Sequence, residues 1–297
     1  MTTSLPRRQF LATSVAAASS LILRAEDAAP KRKLRKAIMY STIRVSGPVA
    51  DRFKAVKEAG FEGVEPMGGM NRQEVLDALH QNGLEAASVC CHSHWKETLT
   101  HQDPATRKRG IEGLLTTLQD AKAYGAGSIL LVPGVVNAEV SYDEAWKRSQ
   151  EAIREAIPLA KELQVRISIE NVWNHFLLSP LEMARFIDAF ESPWVGSHFD
   201  IGNVVKEGWP EQWIHILGKR INRLHFKEFS IEKMNKEGPY KGFGVDFMTG
   251  SNNWKAIMHA LDDVGYTGWC ITEQGSGPTV EDMRKKLVEP LDKIFAL

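Results

Sequence analysis

Cysteine is scarce. Cys90, Cys91 and Cys270 are the only three in 297 residues, too few for a disulfide framework. All stand in apolar, strand-like runs and are expected to be buried free thiols, a vicinal Cys90–Cys91 redox pair being the alternative. An excess of one charge is also missing, since 37 basic and 37 acidic side chains cancel. That removes the basic footprint of a nucleic-acid binder. No long apolar run is present; Ala12–Leu23 is too short and too polar to span a bilayer. The Gly-rich phosphate turn of a doubly wound dinucleotide fold is absent too, Thr42–Gly47 having no such fingerprint. What remains, 43% hydrophobic and 25% charged, is an ordinary globular profile.

Residues 1–29 read as a targeting segment. Arg7-Arg8-Gln9-Phe10-Leu11 precedes a weakly apolar Ala/Ser-rich stretch, the order of a twin-arginine export signal. A disordered arm is the plainer alternative. The expected location is periplasmic or otherwise extracytoplasmic, with no stable membrane insertion unless the signal is retained. Residues 30–36, with Lys31-Arg32-Lys33-Leu34-Arg35-Lys36, are expected to be a solvated basic linker.

From residue 37 to 297, strand-like and helix-like runs alternate eight times, which predicts one closed (β/α)8 TIM barrel. The expected strands are Ala37–Ile43, Phe61–Glu65, Leu84–Cys91, Ser128–Val132, Val165–Glu170, Trp194–Asp200, Ile221–Phe226 and Tyr266–Glu273. Helix stops are expected at Gly60, Gly83 and Gly125, and Ser141 with Glu144 is set for a capping box. The long segment Lys227–Ser251 reads as a functional loop over the barrel mouth.

Four polar residues each close one of the last strands: Glu170, Asp200, His225 and Glu273. Ligand-type side chains at successive strand ends converge at the C-terminal mouth of a parallel barrel. A single acid at a strand end is usually solvated or a cap; four at consecutive ends are far more specific. Two Glu, one Asp and one His form a mostly oxygen set, which suits Mn²⁺, Mg²⁺ or Co²⁺. Glu65, ending the second strand, is placed to touch a substrate hydroxyl or to support a ligand. His92 and His94 follow the third strand and face the same mouth, as candidate substrate contacts. Lys227, two residues after His225, points the same way along the strand and could meet a carboxylate or the substrate. His198, two before Asp200, is a candidate donor orienting a ligand. Trp173, Asn174 and His175 could wall a sugar face or simply pack the loop.

Ser168-Ile169-Glu170-Asn171, His198-Phe199-Asp200-Ile201-Gly202-Asn203, Leu224-His225-Phe226-Lys227-Glu228 and Thr272-Glu273 resemble the metal-binding segments of the xylose isomerase-like TIM barrels. Phe61-Glu62-Gly63-Val64-Glu65 and the late Gly265-Tyr266 segment up to Trp269 fit the same group, the sugar (phosphate) isomerases and epimerases. The resemblance covers about residues 37–295 and is specific for the superfamily rather than the reaction. In its ketose 3-epimerases the residues matching Glu170 and Glu273 both bind the metal and move protons, while those matching Asp200 and His225 are ligands only. Free-ketose epimerases carry Glu, His and Arg where this chain has Phe176, Asn203 and Ile231. The Asp200-x-Gly-Asn203 pattern is closer to the pentulose-phosphate 3-epimerases, which implies Asn203 as a substrate contact. Dimers and tetramers are common among similar barrels, so a homo-oligomer is possible.

The resemblance implies a divalent-metal-dependent isomerase or epimerase acting on a small carbohydrate beside its ketone. One carboxylate removes a proton to form an enediolate and the other returns it. A keto-sugar or inosose-type dehydratase is the alternative on the same site. Endonuclease chemistry would need more histidines and a basic groove, and a non-catalytic sugar-binding barrel would not need both glutamates.

Overall fold

The computed structural model describes residues 32–297; the expected signal and the start of the linker lie outside these. A parallel sheet runs through β1 (Leu34–Met39), β2 (Gly63–Glu65), β3 (Glu85–Ala86), β4 (Val89–Cys90), β5 (Ser128–Leu131), β6 (Arg166–Glu170), β7 (Val195–Asp200), β8 (Ile221–Phe226) and β9 (Gly268–Thr272). Its order is β3-β2-β1-β9-β8-β7-β6-β5-β4. β3 and β4 are two halves of the third barrel strand, broken at Ala87-Ser88. The lower half pairs with β2 and the upper half with β5. Cys90 N also donates to Pro66 O at 2.9 Å, and Gly68 N to Cys90 O at 2.8 Å, so the upper half holds both neighbours and the ring is nearly closed. Arg223 Nε donates to Ala87 O at 2.6 Å from within the barrel, satisfying a carbonyl at the break.

The barrel interior shows why these strands alternate. Ala37, Met39, Ala87, Cys90, Leu130, Trp269 and Ile271 form an inner cluster. Their neighbours, such as Ile38, Ile129 and Cys270, join the larger core beneath the helices. Trp269 fills the end opposite the mouth, with the Arg35 guanidinium 3.9 Å from its ring centre. Gly63 allows this, because a Cβ there would lie 2.7 Å from the Trp269 ring. All three cysteines are buried and free.

Glycines end three helices in left-handed backbone as expected: α1 (Val49–Ala59) at Gly60, α2 (Arg72–Asn82) at Gly83 and α3 (Pro104–Tyr124) at Gly125. Two expectations need correction. The first strand starts at Leu34, inside the predicted linker, because Arg35 pairs with Glu62 and Glu85 and Lys36 with Asp292. The capping box at α4 (Tyr142–Leu163) does not form. Ser141 Oγ donates to Asp143 Oδ1 instead, and Glu144 pairs with Arg148 one turn on. The final helix contains a π segment at Arg284–Val288; Pro290, just beyond it, has no N–H to continue the ladder. Among the described residues no helix is long and apolar enough to cross a membrane.

The mouth carries α5 (Pro180–Asp188), α6 (Gly202–Val205) and α7 (Pro210–Leu217) after β6 and β7. The segment after β8 is ordered into α8 (Ile231–Glu237) and a 3-10 turn at Pro239–Phe243. Glu228 is wholly buried and anchors it: its carboxylate accepts from Trp254 Nε1 and Met248 N, each at 2.7 Å.

Candidate metal centre

Strand alternation delivers the site. On β7, His198 and Asp200 share the inner face; on β8 and its extension, Arg223, His225 and Lys227 do; Trp269, Ile271 and Glu273 repeat the pattern at β9. Glu170, Asp200, His225 and Glu273 therefore meet at the C-terminal mouth. One ligand atom from each lies within 4.8 Å of all the others. His225 Nδ1 stands 2.9 Å from Glu170 Oε1, 3.3 Å from Glu273 Oε2 and 3.8 Å from Asp200 Oδ2. Asp200 and His225 are sealed, whereas the Glu273 side chain is 26% exposed and marks the way in.

This cluster suits a divalent cation. Three carboxylates are crowded out of water on one point, and burial pushes the Glu170 carboxyl up to about 7 and Asp200 up to about 6. Asp200 Oδ2 is buried without a hydrogen-bonded partner. A hard or borderline cation with oxygen and imidazole ligands would relieve both strains. Lys227 offsets part of the charge, its Nζ lying 2.6 Å from Glu273 Oε2 and 3.2 Å from Asp200 Oδ2. Burial opposes the Glu273 charge, but Lys227 and His225 outweigh it and hold that carboxyl well below the usual range. Glu170 and Glu273 thus sit in opposed electrostatic settings.

Around the cluster, Glu65 is fully buried behind His225 and its Oε2 lies 2.9 Å from His225 Nε2. Of the two kinds of contact the sequence leaves open for Glu65, the one present is with the imidazole. A carboxylate on the far imidazole nitrogen fixes which nitrogen faces the ion. His198 packs edge-on to His225, ring centres 4.2 Å apart, with Nδ1 3.9 Å from Glu65 Oε1. This is too far for the expected donor bond, and burial pushes its pKa well down, so it is a neutral buttress. Lys227 Nζ donates to Asn203 Oδ1 at 3.3 Å, which ties the extension of β8 to α6.

His94 and His92 are not drawn into the ligand set. His94 turns inward to accept from Val132 N at 3.2 Å, and burial pushes its pKa down to about 3. His92 is exposed and packs on the backbone of Gly68 and Gly69, where a Cβ would come within 3.2 Å of its ring.

Sequence reasoning passed over Asn171. Its Oδ1 accepts from Asp200 N and its Nδ2 donates to Asp200 O, both at 2.8 Å, while Asn203 Nδ2 donates to Asn171 O at 2.9 Å. Gln274 plays a matching part after Glu273, accepting from Glu228 N at 2.9 Å. The available signal was an amide directly following a strand-terminal acid, twice. Beside the cluster opens a cavity of about 690 Å³, floored by Asn171 and Asn203 and walled by Trp173, Trp209 and Tyr240.

A family model described as xylose isomerase-like TIM barrel matches residues 53–292. The chain is 24% identical over 263 residues to L-ribulose-5-phosphate 3-epimerase UlaE of Shigella flexneri serotype 5b (strain 8401), covering 83% of this chain and 88% of that protein. The UlaE protein of Escherichia coli (strain K12) matches at the same 24% identity and the same coverage. Among solved structures, 3-keto-D-glucoside 4-epimerase YcjR from E. coli superposes with TM-score 0.73 at 16% identity, over 90% of this chain and all of that one. An L-ribulose 3-epimerase gives TM-score 0.68 at 20% identity, over 89% and 86%.

Proposed function

Since the chain belongs to the xylose isomerase-like TIM barrels, we propose that it is a divalent-metal-dependent carbohydrate epimerase of the ketose 3-epimerase type, moving a proton at a carbon beside a ketone. The observation that carries this reading is the convergence of two glutamates, one aspartate and one histidine within 4.8 Å at the strand ends. The relatives' names, all of sugar epimerases, support it.

Glu170, Asp200, His225 and Glu273 would hold Mn²⁺, or Mg²⁺ or Co²⁺. Bound there, the cation supplies positive charge that acidifies the C–H next to the carbonyl and favours the enediolate. Glu170 and Glu273 act on the proton, one as base and the other as acid, from opposite faces of the sugar carbon. Asp200 and His225 fix the ion, with Glu65 orienting the imidazole. Lys227 and Asn203, at the open side, hold the sugar oxygens. The export signal at residues 1–29 belongs to the same proposal and favours an unphosphorylated substrate, since sugar phosphates are largely cytoplasmic.

Proton NMR of the manganese-loaded protein in D2O, with free ketoses, keto-glycosides and pentulose phosphates, tests the reading. Deuterium should appear beside a carbonyl, and an inverted carbinol centre marks the epimerase. A dehydrated product would replace it with the lyase on the same site, and no exchange across the panel would overturn it.

A further inference from the structure

The 690 Å³ cavity is within the range of small-molecule sites, yet it lies beside the metal cluster rather than over it. The two adjoin through shared residues. Asn203 and Asn171 form its floor, and these same residues brace Asp200 and reach Lys227. From that floor the groove runs outward along Trp173 to Trp209 and Tyr240, which are 62% and 73% exposed. We propose that this groove is a subsite for a neutral second sugar ring, making the substrate a glycoside rather than a free monosaccharide or a sugar phosphate. The inference rests on the function proposed above and specifies its substrate class.

Three features point to a saccharide. Trp209 and Tyr240 expose flat indole and phenol rings, and hydrogen-bonding side chains such as Asn203 and Gln212 line the same groove, as a pyranose with apolar C–H faces and equatorial hydroxyls requires. Lys206 is the single lysine or arginine among the described residues lining the groove, and its Nζ is 2.8 Å from Glu207 Oε1, so the groove lacks the cluster of cations that suits a phosphate dianion. The wall is also rigid before any ligand arrives. Trp173 Nε1 donates to Asn203 O at 2.9 Å, Asn174 Nδ2 to Gly134 O at 2.7 Å and Leu177 N to the Tyr142 hydroxyl at 2.9 Å. His175 and Leu177 are held there in left-handed backbone, strain that a loop keeps only when its packing enforces it.

The test measures binding, in the full chain carrying Glu170→Gln so that no epimer accumulates, by tryptophan fluorescence. The probes are the 3-keto forms of a methyl glucoside and of a glucosyl disaccharide. The disaccharide should bind more tightly by at least about tenfold. Trp209→Ala and, independently, Tyr240→Ala should abolish that advantage and leave methyl glucoside affinity unchanged. Equal affinities, or an advantage surviving both substitutions, would overturn the subsite. So would a pentulose phosphate outcompeting the disaccharide, or an oligomer that Trp209→Ala dissociates. A disaccharide preference without deuterium exchange in the unsubstituted protein would sink the proposed reaction and leave the subsite standing; exchange without the preference would do the reverse.

Discussion

Replacing Glu170 by Gln should make the metal-free protein more stable at pH 8 and leave it nearly unchanged at pH 5. Burial raises the Glu170 carboxyl from 4.5 to about 7. The fold therefore favours its protonated form. That stabilisation is complete below 4.5 and is lost as pH rises through 7. At about 1.4 kcal/mol per pH unit, ionising this one group withdraws up to about 3 kcal/mol. Gln keeps the acceptor that faces His225 Nδ1 at 2.9 Å and removes the charge. For a domain this size the gain at pH 8 is up to about 6–12 °C in Tm. Thermal melts in EDTA from pH 5 to 8 measure it. Saturating Mn²⁺ should shrink the difference, since the carboxylate is then a ligand: a thousandfold excess over Kd adds about 4.1 kcal/mol to the wild type, and the variant, which keeps three of the four ligands, gains less. A metal-free difference that is independent of pH, or a Gln variant less stable at pH 8, would refute the reasoning.

Glu65→Gln should weaken Mn²⁺ binding by roughly 10–100-fold, read by calorimetry; loss of substrate affinity with metal affinity intact would show that Glu65 touches sugar instead. Asn171→Ala removes both bonds that clamp the Asp200 backbone and should cost about 1–3 kcal/mol, and a denaturant midpoint matching wild type would disprove the clamp. Gly63→Ala drives a Cβ to 2.7 Å from the Trp269 ring and should destabilise by about 1–3 kcal/mol without changing metal affinity, which separates the barrel floor from its mouth.

The barrel and its four strand-end residues were legible because both follow local rules. Period-two alternation sets which residues face inward, and a ligand closing each strand inherits that face. What escaped depends on contacts between distant segments. The local pattern leaves Glu65 between two roles because only the closed ring brings β2 to His225, 160 positions away. The third strand reads as one run from Leu84 to Cys91, yet its break at Ala87 is settled by Arg223 from across the barrel. His94 has the spacing of a mouth residue but accepts from the backbone of Val132, just past β5. At Ser141 a hydroxyl that could have capped α4 bonds its neighbour's carboxylate, a competition that composition does not decide. The ordering of Lys227–Ser251 rests on Glu228, whose acceptors collect bonds from residues 20 to 26 positions on.

The account stands or falls on Glu170 and Glu273 working from opposite faces of one carbon. The direct measurement is deuterium wash-in from D2O, started separately from each epimer of a substrate, with manganese-loaded Glu170→Gln and Glu273→Gln whose bound metal has been quantified. Each variant should lose inversion while still exchanging the proton of one epimer, and the two variants should spare opposite epimers. Exchange of both epimers by either metal-loaded variant, or inversion without solvent deuterium, would contradict the two-glutamate mechanism.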